Sequence, residues 1–288
     1  MNAPAHIQAA APRVFTVRAS AWGSLFNCSH SFEGTHILGM HKPAGLRAHL
    51  GTSIHASTAV FDSGRLPGGK SASADDAAEV FVATLHNPDR EVDYRQDDLT
   101  VRDAETIGLR LHTRYCVDVS PRFEFLSVEA KLQPLDIDCG GGLIVRLTGT
   151  MDRARVAQTA AGVVIPDVKT GGRVISGGAV VTKGRAPQLG TYQLMYERDP
   201  AHGRPTDGAQ VIGLLTSNAA LKPKPGDVIA GVSHVFDAKS VMVGTDGSPG
   251  LIEYAAAMFR SGLFPPNPAA TICAEKYCAR WHKCAHHP

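Results

Sequence analysis

Two apolar-rich segments near the middle of the chain, 142–156 (GLIVRLTGTMDRARV) and 163–169 (VVIPDVK), read as β-strands, yet each carries one acid toward its C-terminal end. A sheet accepts such segments only if the charges find partners or an ion, because an unpaired buried carboxylate is costly. A short glycine-containing connection predicts that the two strands form a hairpin. Asp152 then sits at the end of one strand, and Asp167 and Lys169 at the end of the next. Alternation puts Asp167 and Lys169 on one face, and pairing brings Asp152 beside them.

Around this hairpin the texture changes from helix to sheet and back. Residues 47–61 have helical spacing, with Leu50, Ile54, Ser57, Thr58 and Phe61 on one face. Residues 73–85 begin with a capping Ser and acidic first-turn residues ahead of an apolar stripe, and 98–117 read as a further helix. Residues 123–132 (FEFLSVEAKL) alternate like a half-buried strand. Beyond the hairpin come a glycine-rich loop at 171–178, a helix at 187–197, candidate strands at 211–216 and 233–236, and a helix at 251–261. The order predicts an α/β domain over 21–288, preceded by a tail at 1–20 that becomes ordered near Arg13.

Composition removes several alternatives. Of 288 residues, 43% are hydrophobic and 19% charged, which excludes wholesale disorder. No stretch approaches the roughly 20 apolar residues of a membrane helix. The net charge of +2 argues against a globally basic nucleic-acid coat but leaves room for a local basic groove. The first residues lack a basic stretch followed by an apolar core, so no secretory signal is read, and the six cysteines are expected to be reduced in a cytoplasmic protein.

Two carboxylates and an ammonium on one patch suit a hard divalent cation with oxygen ligands. Such an ion would polarise a phosphodiester and lower the pKa of a bound water, with Lys169 orienting that water or stabilising developing negative charge. A surface salt bridge would explain Asp-x-Lys alone equally well. The wider order is more specific. His55 in GTSIH, Asp152 in GTMDR, Asp167 and Lys169 in DVKTG, and Gln188 and Tyr192 in QLGTY follow one another as four motifs. In that order the chain resembles the PD-(D/E)XK nucleases of the RecB type. These include the RecB and AddB nuclease domains, CRISPR-associated RecB-like exonucleases and many phage-encoded relatives. The resemblance runs from Cys28 to Cys284. It implies a restriction-endonuclease-like core, a mixed central sheet flanked by helices. It also implies that His55, Asp152, Asp167 and the carbonyl of Val168 hold Mg2+ or Mn2+, that Lys169 is the catalytic lysine, and that Gln188 and Tyr192 form a helix contacting the site and DNA. The i, i+4 spacing independently puts Gln188 and Tyr192 on one helical face. Glu129 faces either the site or solvent, and is left outside the catalytic set.

Cys273, Cys278 and Cys284 are spaced C-x4-C-x5-C, and Cys28 makes a fourth thiolate. Four thiolates hold an iron–sulfur cluster or a structural zinc. The lack of C-x2-C knuckles favours the cluster, while His282, His286 and His287 keep a mixed zinc site open. One distant ligand plus three at the C-terminus resembles the [4Fe–4S] arrangement of AddB-type and CRISPR-associated nucleases. On that reading Cys28 and residues 264–288 form a terminal subdomain whose cluster ties the chain ends together. Cys116 and Cys139 read as ordinary core or loop thiols.

Gly64–Ser71 fits the P-loop pattern G-x4-G-K-S but follows a helix rather than a buried strand, so it reads as a loop that leads to a capping serine. Basic residues recur near the proposed chemistry at Arg153, Arg155, Lys169, Arg173, Lys183 and Arg185, with more at Lys222, Lys224, Lys276, Arg280 and Lys283. Lining one groove, they would neutralise phosphates. Tyr277 and Trp281 read as packing around the cysteines in preference to stacking on bases. The expected activity is a metal-dependent DNA exonuclease acting on ends or single strands, compatible with a helicase, recombinase or CRISPR-adaptation partner. The alternative is a DNA-binding or assembly module that keeps the fold and cluster without cutting.

Overall fold

The computed structural model describes residues 11–157, 162–245 and 247–288. Strand β1 (Arg13–Arg18) leads into helix α1 (Trp22–Asn27), and Cys28 begins the short helical turn that follows. Helices α2 (Leu46–Ser63), α3 (Ala74–His86) and α4 (Val101–Arg114) come next. They start where the sequence offers caps. The Ser73 hydroxyl accepts from the Asp76 amide at 3.1 Å and Asp76 Oδ2 accepts from the Ser73 amide at 2.8 Å, a closed capping box. Thr100 caps α4 through the Asp103 amide, three residues later than the pattern alone suggests, and 115–119 widen into a looser turn.

The sheet region consists of β2 (Phe125–Lys131), β3 (Leu135–Asp138), β4 (Leu143–Thr148), β5 (Thr150–Val156) and β6 (Val163–Gly171). Helix α5 (Ala186–Arg198), strands β7 (Thr206–Leu215) and β8 (Ala230–Val232) and helix α6 (Leu251–Ser261) complete the elements. Among the described residues a five-stranded sheet has the order β8-β7-β6-β5-β2. It is mixed: β6 and β7 run parallel, with Asp167 beside Val211, and the remaining pairs are antiparallel. A smaller sheet has the order β1-β4-β3.

Alternation on β7 assigns the two faces of the large sheet. Ala209 and Val211 enter a core shared with Trp22, Met151, Ile165, Leu189, Tyr192 and Phe259. Ile212 and Leu214 enter a second core with Leu50, Ile54, Phe81, Leu111 and Val168. One face is therefore covered by α1, α5 and α6, and the other by α2–α4. A mixed α/β sheet flanked by helices is the architecture expected from the sequence.

The order expected near Arg13 is present: β1 starts there and pairs in parallel with β4. Three expectations need correction. Residues 142–156 are not one strand: the chain breaks at Gly149, and its halves belong to different sheets. A Cβ at Gly149 would lie 2.7 Å from the Tyr192 ring and 3.2 Å from Ala19 Cβ, so only glycine lets the chain cross between sheets there. The strand expected at 233–236 falls at 230–232, with Phe236 retained as an isolated bridge to Ala209. Residues 171–178 hold part of a two-residue ribbon, Ile175–Ser176 with Ala179–Val180. The turn between β5 and β6 lies largely outside the described residues.

Candidate active site

The hairpin predicted between β5 and β6 forms, pairing Arg155 with Val164 and Val156 with Val163. Continued toward the site, this register puts Asp152 across from Asp167. There a side chain joins the strands: Asp152 Oδ2 accepts the Val168 amide at 2.9 Å. This contact fixes the carboxylate on the edge of β6 beside the residues that the DVK motif supplies.

Asp167 is buried, and its Oδ2 lies 2.5 Å from Lys169 Nζ. No donor is aligned on that oxygen for a hydrogen bond. Gln188 Nε2 donates to Asp167 Oδ1 at 3.5 Å and to the Tyr192 hydroxyl at 3.3 Å, so the i, i+4 pair on α5 meets β6 as expected. Burial raises the Asp167 pKa, the Lys169 ammonium opposes that rise, and Asp152 adds to it. Tyr192 is likewise pushed well up by burial, which keeps the phenol neutral.

From the other face, helix α2 delivers His55. Its Nδ1 lies 3.4 Å from Asp152 Oδ2. The approach depends on Gly51, one turn earlier, where a Cβ would lie 2.5 Å from Thr170 Oγ1 at the end of β6. Strand β2 brings Glu129 from the opposite side, flanked by the pairs Val128–Arg153 and Ala130–Met151, which sets it across from Asp152. Glu129 has a left-handed backbone, φ 48°, the one non-glycine residue with positive φ among the described residues. Burial and the Asp152 charge raise its pKa.

Ligand atoms of His55, Glu129 and Asp152 all lie within 4.8 Å of one another. This grouping differs from the expected set. Glu129, left out on sequence grounds, joins His55 and Asp152, while Asp167 stands beside Lys169 outside that cluster. The missed signal was the position of Glu129 opposite Asp152, which a sequence does not reveal before strand register is known. Val168 lends its amide to Asp152 and its side chain to the core. One nitrogen ligand beside two carboxylates, close enough for the Asp152 charge to raise the Glu129 pKa, fits a hard divalent cation.

Two of the expected DNA-facing cations are structural. Arg153 is fully buried against Asp62, and Arg155 donates to Gln210 Oε1 at 3.0 Å. Arg173 and Lys183 are exposed on the segment joining Lys169 to α5.

Cys28, Cys273, Cys278 and Cys284 line one recess, where the start of the chain's first helices meets the C-terminal segment. All four are free thiols. Loss of water and the proximity of the other three raise the Cys273 pKa. A zinc ion with Zn–S of about 2.3 Å would separate its sulfurs by about 3.8 Å. Among the described residues no three cysteine sulfurs lie within 4.8 Å of one another, so the recess is wider than a formed zinc site. Trp281 stacks on His287 at 4.2 Å beside it, in keeping with a packing role, whereas Tyr277, expected to pack there too, is exposed, does not line the recess and has Lys276 over its ring. Cys116 is buried beside His112 and Cys139 is half-buried, as expected of ordinary thiols. Gly64–Ser71 is a turn after α2, not a phosphate loop.

Among the described residues no helix is long and apolar enough to cross a membrane. The model of one protein family, the PD-(D/E)XK nuclease superfamily, matches residues 19–285. No curated protein matches the chain.

Proposed function

Because the chain belongs to the PD-(D/E)XK nuclease superfamily, whose members are metal-dependent phosphodiester hydrolases, we propose that it is a DNA exonuclease working on ends or single strands. The observation that supports this most is the convergence of His55, Glu129 and Asp152 beside the buried Asp167–Lys169 pair. The exonuclease assignment draws on the RecB-type order of the motifs. Pathway partners such as a helicase, a recombinase or CRISPR-adaptation proteins are compatible with that order.

On this reading His55, Glu129 and Asp152 hold Mg2+ or Mn2+, with Asp167 and the Val168 carbonyl as further oxygen donors. When bound, the cation polarises the scissile phosphodiester and supplies a water of lowered pKa. The rest is work for the chain. Asp167 keeps Lys169 in place at 2.5 Å, so the ammonium is aimed where negative charge grows during attack. Gln188 fixes Asp167 from behind and Tyr192 fixes Gln188. Arg173 and Lys183 neutralise phosphates of the bound strand from the segment between β6 and α5.

The four cysteines hold a [4Fe–4S] cluster in this proposal, with structural zinc as the alternative. Its role is to brace Cys28, next to α1, against the C-terminal segment, because hydrolysis needs no electron transfer.

The test uses end-labelled linear and circular DNA, single- and double-stranded, with Mg2+ or Mn2+. Metal-dependent loss of linear substrate that spares circles, abolished in Lys169→Ala, is the expected result. Cutting of circles would make the enzyme an endonuclease. Binding without cutting by wild type in either metal would favour an assembly module.

A further inference from the structure

We propose that Arg153, clamped by Asp62, is a positioning residue that sets the spacing of the cation ligands; this rests on the reading of His55, Glu129 and Asp152 as a cation site. The argument starts from where its donors go. Nε donates to Asp62 Oδ2 at 2.7 Å. Nη1 donates to Glu129 Oε1 at 3.2 Å and to the Asp152 carbonyl at 2.8 Å. Nη2 donates to Thr58 Oγ1 at 3.3 Å, and the Thr58 hydroxyl donates to the His55 carbonyl at 3.1 Å. One buried guanidinium therefore reaches the side chain of the first ligand, the backbone of the second and, through Thr58, the backbone of the third.

The clamp behind it is equally built. Asp62 is fully buried at the end of α2 and accepts from Ser120 Oγ at 2.5 Å and from the Tyr115 hydroxyl. Asp62 thus has three donors, and Arg153 has no freedom to turn. The planar fork explains the residue type, since a lysine has one nitrogen and cannot span Asp62, Glu129, Thr58 and the Asp152 carbonyl together. Glu129 sits on a left-handed residue, a backbone state that persists only where its surroundings impose it, and the Arg153 contact is one of those constraints.

Buried ion pairs are often no more stabilising than apolar residues of the same volume. That property separates placement from folding. Asp62→Leu, Tyr115→Phe and Arg153→Met are combined in the full chain, and Mn2+ affinity is measured by calorimetry beside the unfolding temperature. The expected outcome is a folded protein whose Mn2+ Kd rises at least tenfold. A folded variant with Kd within twofold of wild type overturns the proposal. Should the triple variant not fold, Arg153→Lys carries the test, with the same expected rise and the same overturning result. Glu129→Gln adds a second readout. It weakens Mn2+ in wild type and, if Arg153 acts through Glu129, costs much less in the Arg153 variant. Equal losses in both backgrounds overturn the proposal. Wild type that takes up no Mn2+ removes the cation-site reading itself, a result distinguishable from the others.

Discussion

Lys169 Nζ lies 2.5 Å from Asp167 Oδ2, two residues away on the same face of β6, and that carboxylate oxygen is buried with no hydrogen-bond donor aligned on it. The pair joins a charge needed for chemistry to a carboxylate whose burial is unfavourable. Burial raises the Asp167 pKa in the folded state, so the folded protein holds a proton that the unfolded chain releases near 3.8. Stability therefore falls as pH rises from the ordinary carboxylate value through the raised folded value. Asp167→Asn removes this burden. It should raise the unfolding temperature of the metal-free protein at neutral pH by roughly 2–4 °C, lose the gain below about pH 4, and abolish cleavage. A calorimetric scan across pH checks the sign.

Gly51 controls how closely α2 approaches β6. A methyl at Gly51 meets Thr170 Oγ1 at 2.5 Å, so Gly51→Ala must displace the helix or Thr170 by about 1 Å. A displacement of that size at a catalytic group costs on the order of 10²-fold in rate. Cleavage should fall by about that factor while the unfolding temperature barely moves, because alanine favours the helix. Adding Thr170→Ala removes the clashing oxygen and leaves Cβ 3.7 Å away, so activity should largely return. Failure of the second substitution to restore rate would show that His55 does not depend on this approach.

His112 offers a pH effect away from the site. It is buried between Ser57, whose hydroxyl lies 2.6 Å from Nδ1, and the Ala74 carbonyl, 2.9 Å from Nε2. Burial lowers its pKa, so the unfolded chain binds a proton that the folded chain resists. Stability should drop as pH falls from about 6.5 toward the lower folded value. His112→Gln should flatten that part of the profile in thermal melts between pH 5 and 7.

The cysteine recess yields a prediction about colour and stability. Anaerobically purified protein should be brown and bleach on reduction. Cys278→Ser should lose the colour and roughly 10 °C or more of thermal stability, as expected when a structural centre is lost. Colourless protein with one zinc per chain would assign the thiolates to zinc.

Much of this was legible in the sequence, for identifiable reasons. Ser73 announces its helix through a local capping pattern, and the spacing of Gln188 and Tyr192 fixes their shared face. Asp167 and Lys169 share a strand, so alternation alone sets their relation. What stayed hidden depends on partners distant in sequence. Glu129 could be placed only once its register against β5 was known. The break at Gly149 reflects Tyr192 and Ala19, which lie 43 and 130 residues away in the chain. Arg153 and Arg155 read as DNA contacts because composition cannot show that Asp62 and Gln210 wait for them in the interior.

The most direct measurement is anomalous diffraction from crystals soaked in Mn2+. The account requires one strong peak within bonding distance of His55, Glu129 and Asp152, lost in Asp152→Asn crystals. Density that leaves those three side chains without a metal, with the ion bound elsewhere on the chain, would contradict it.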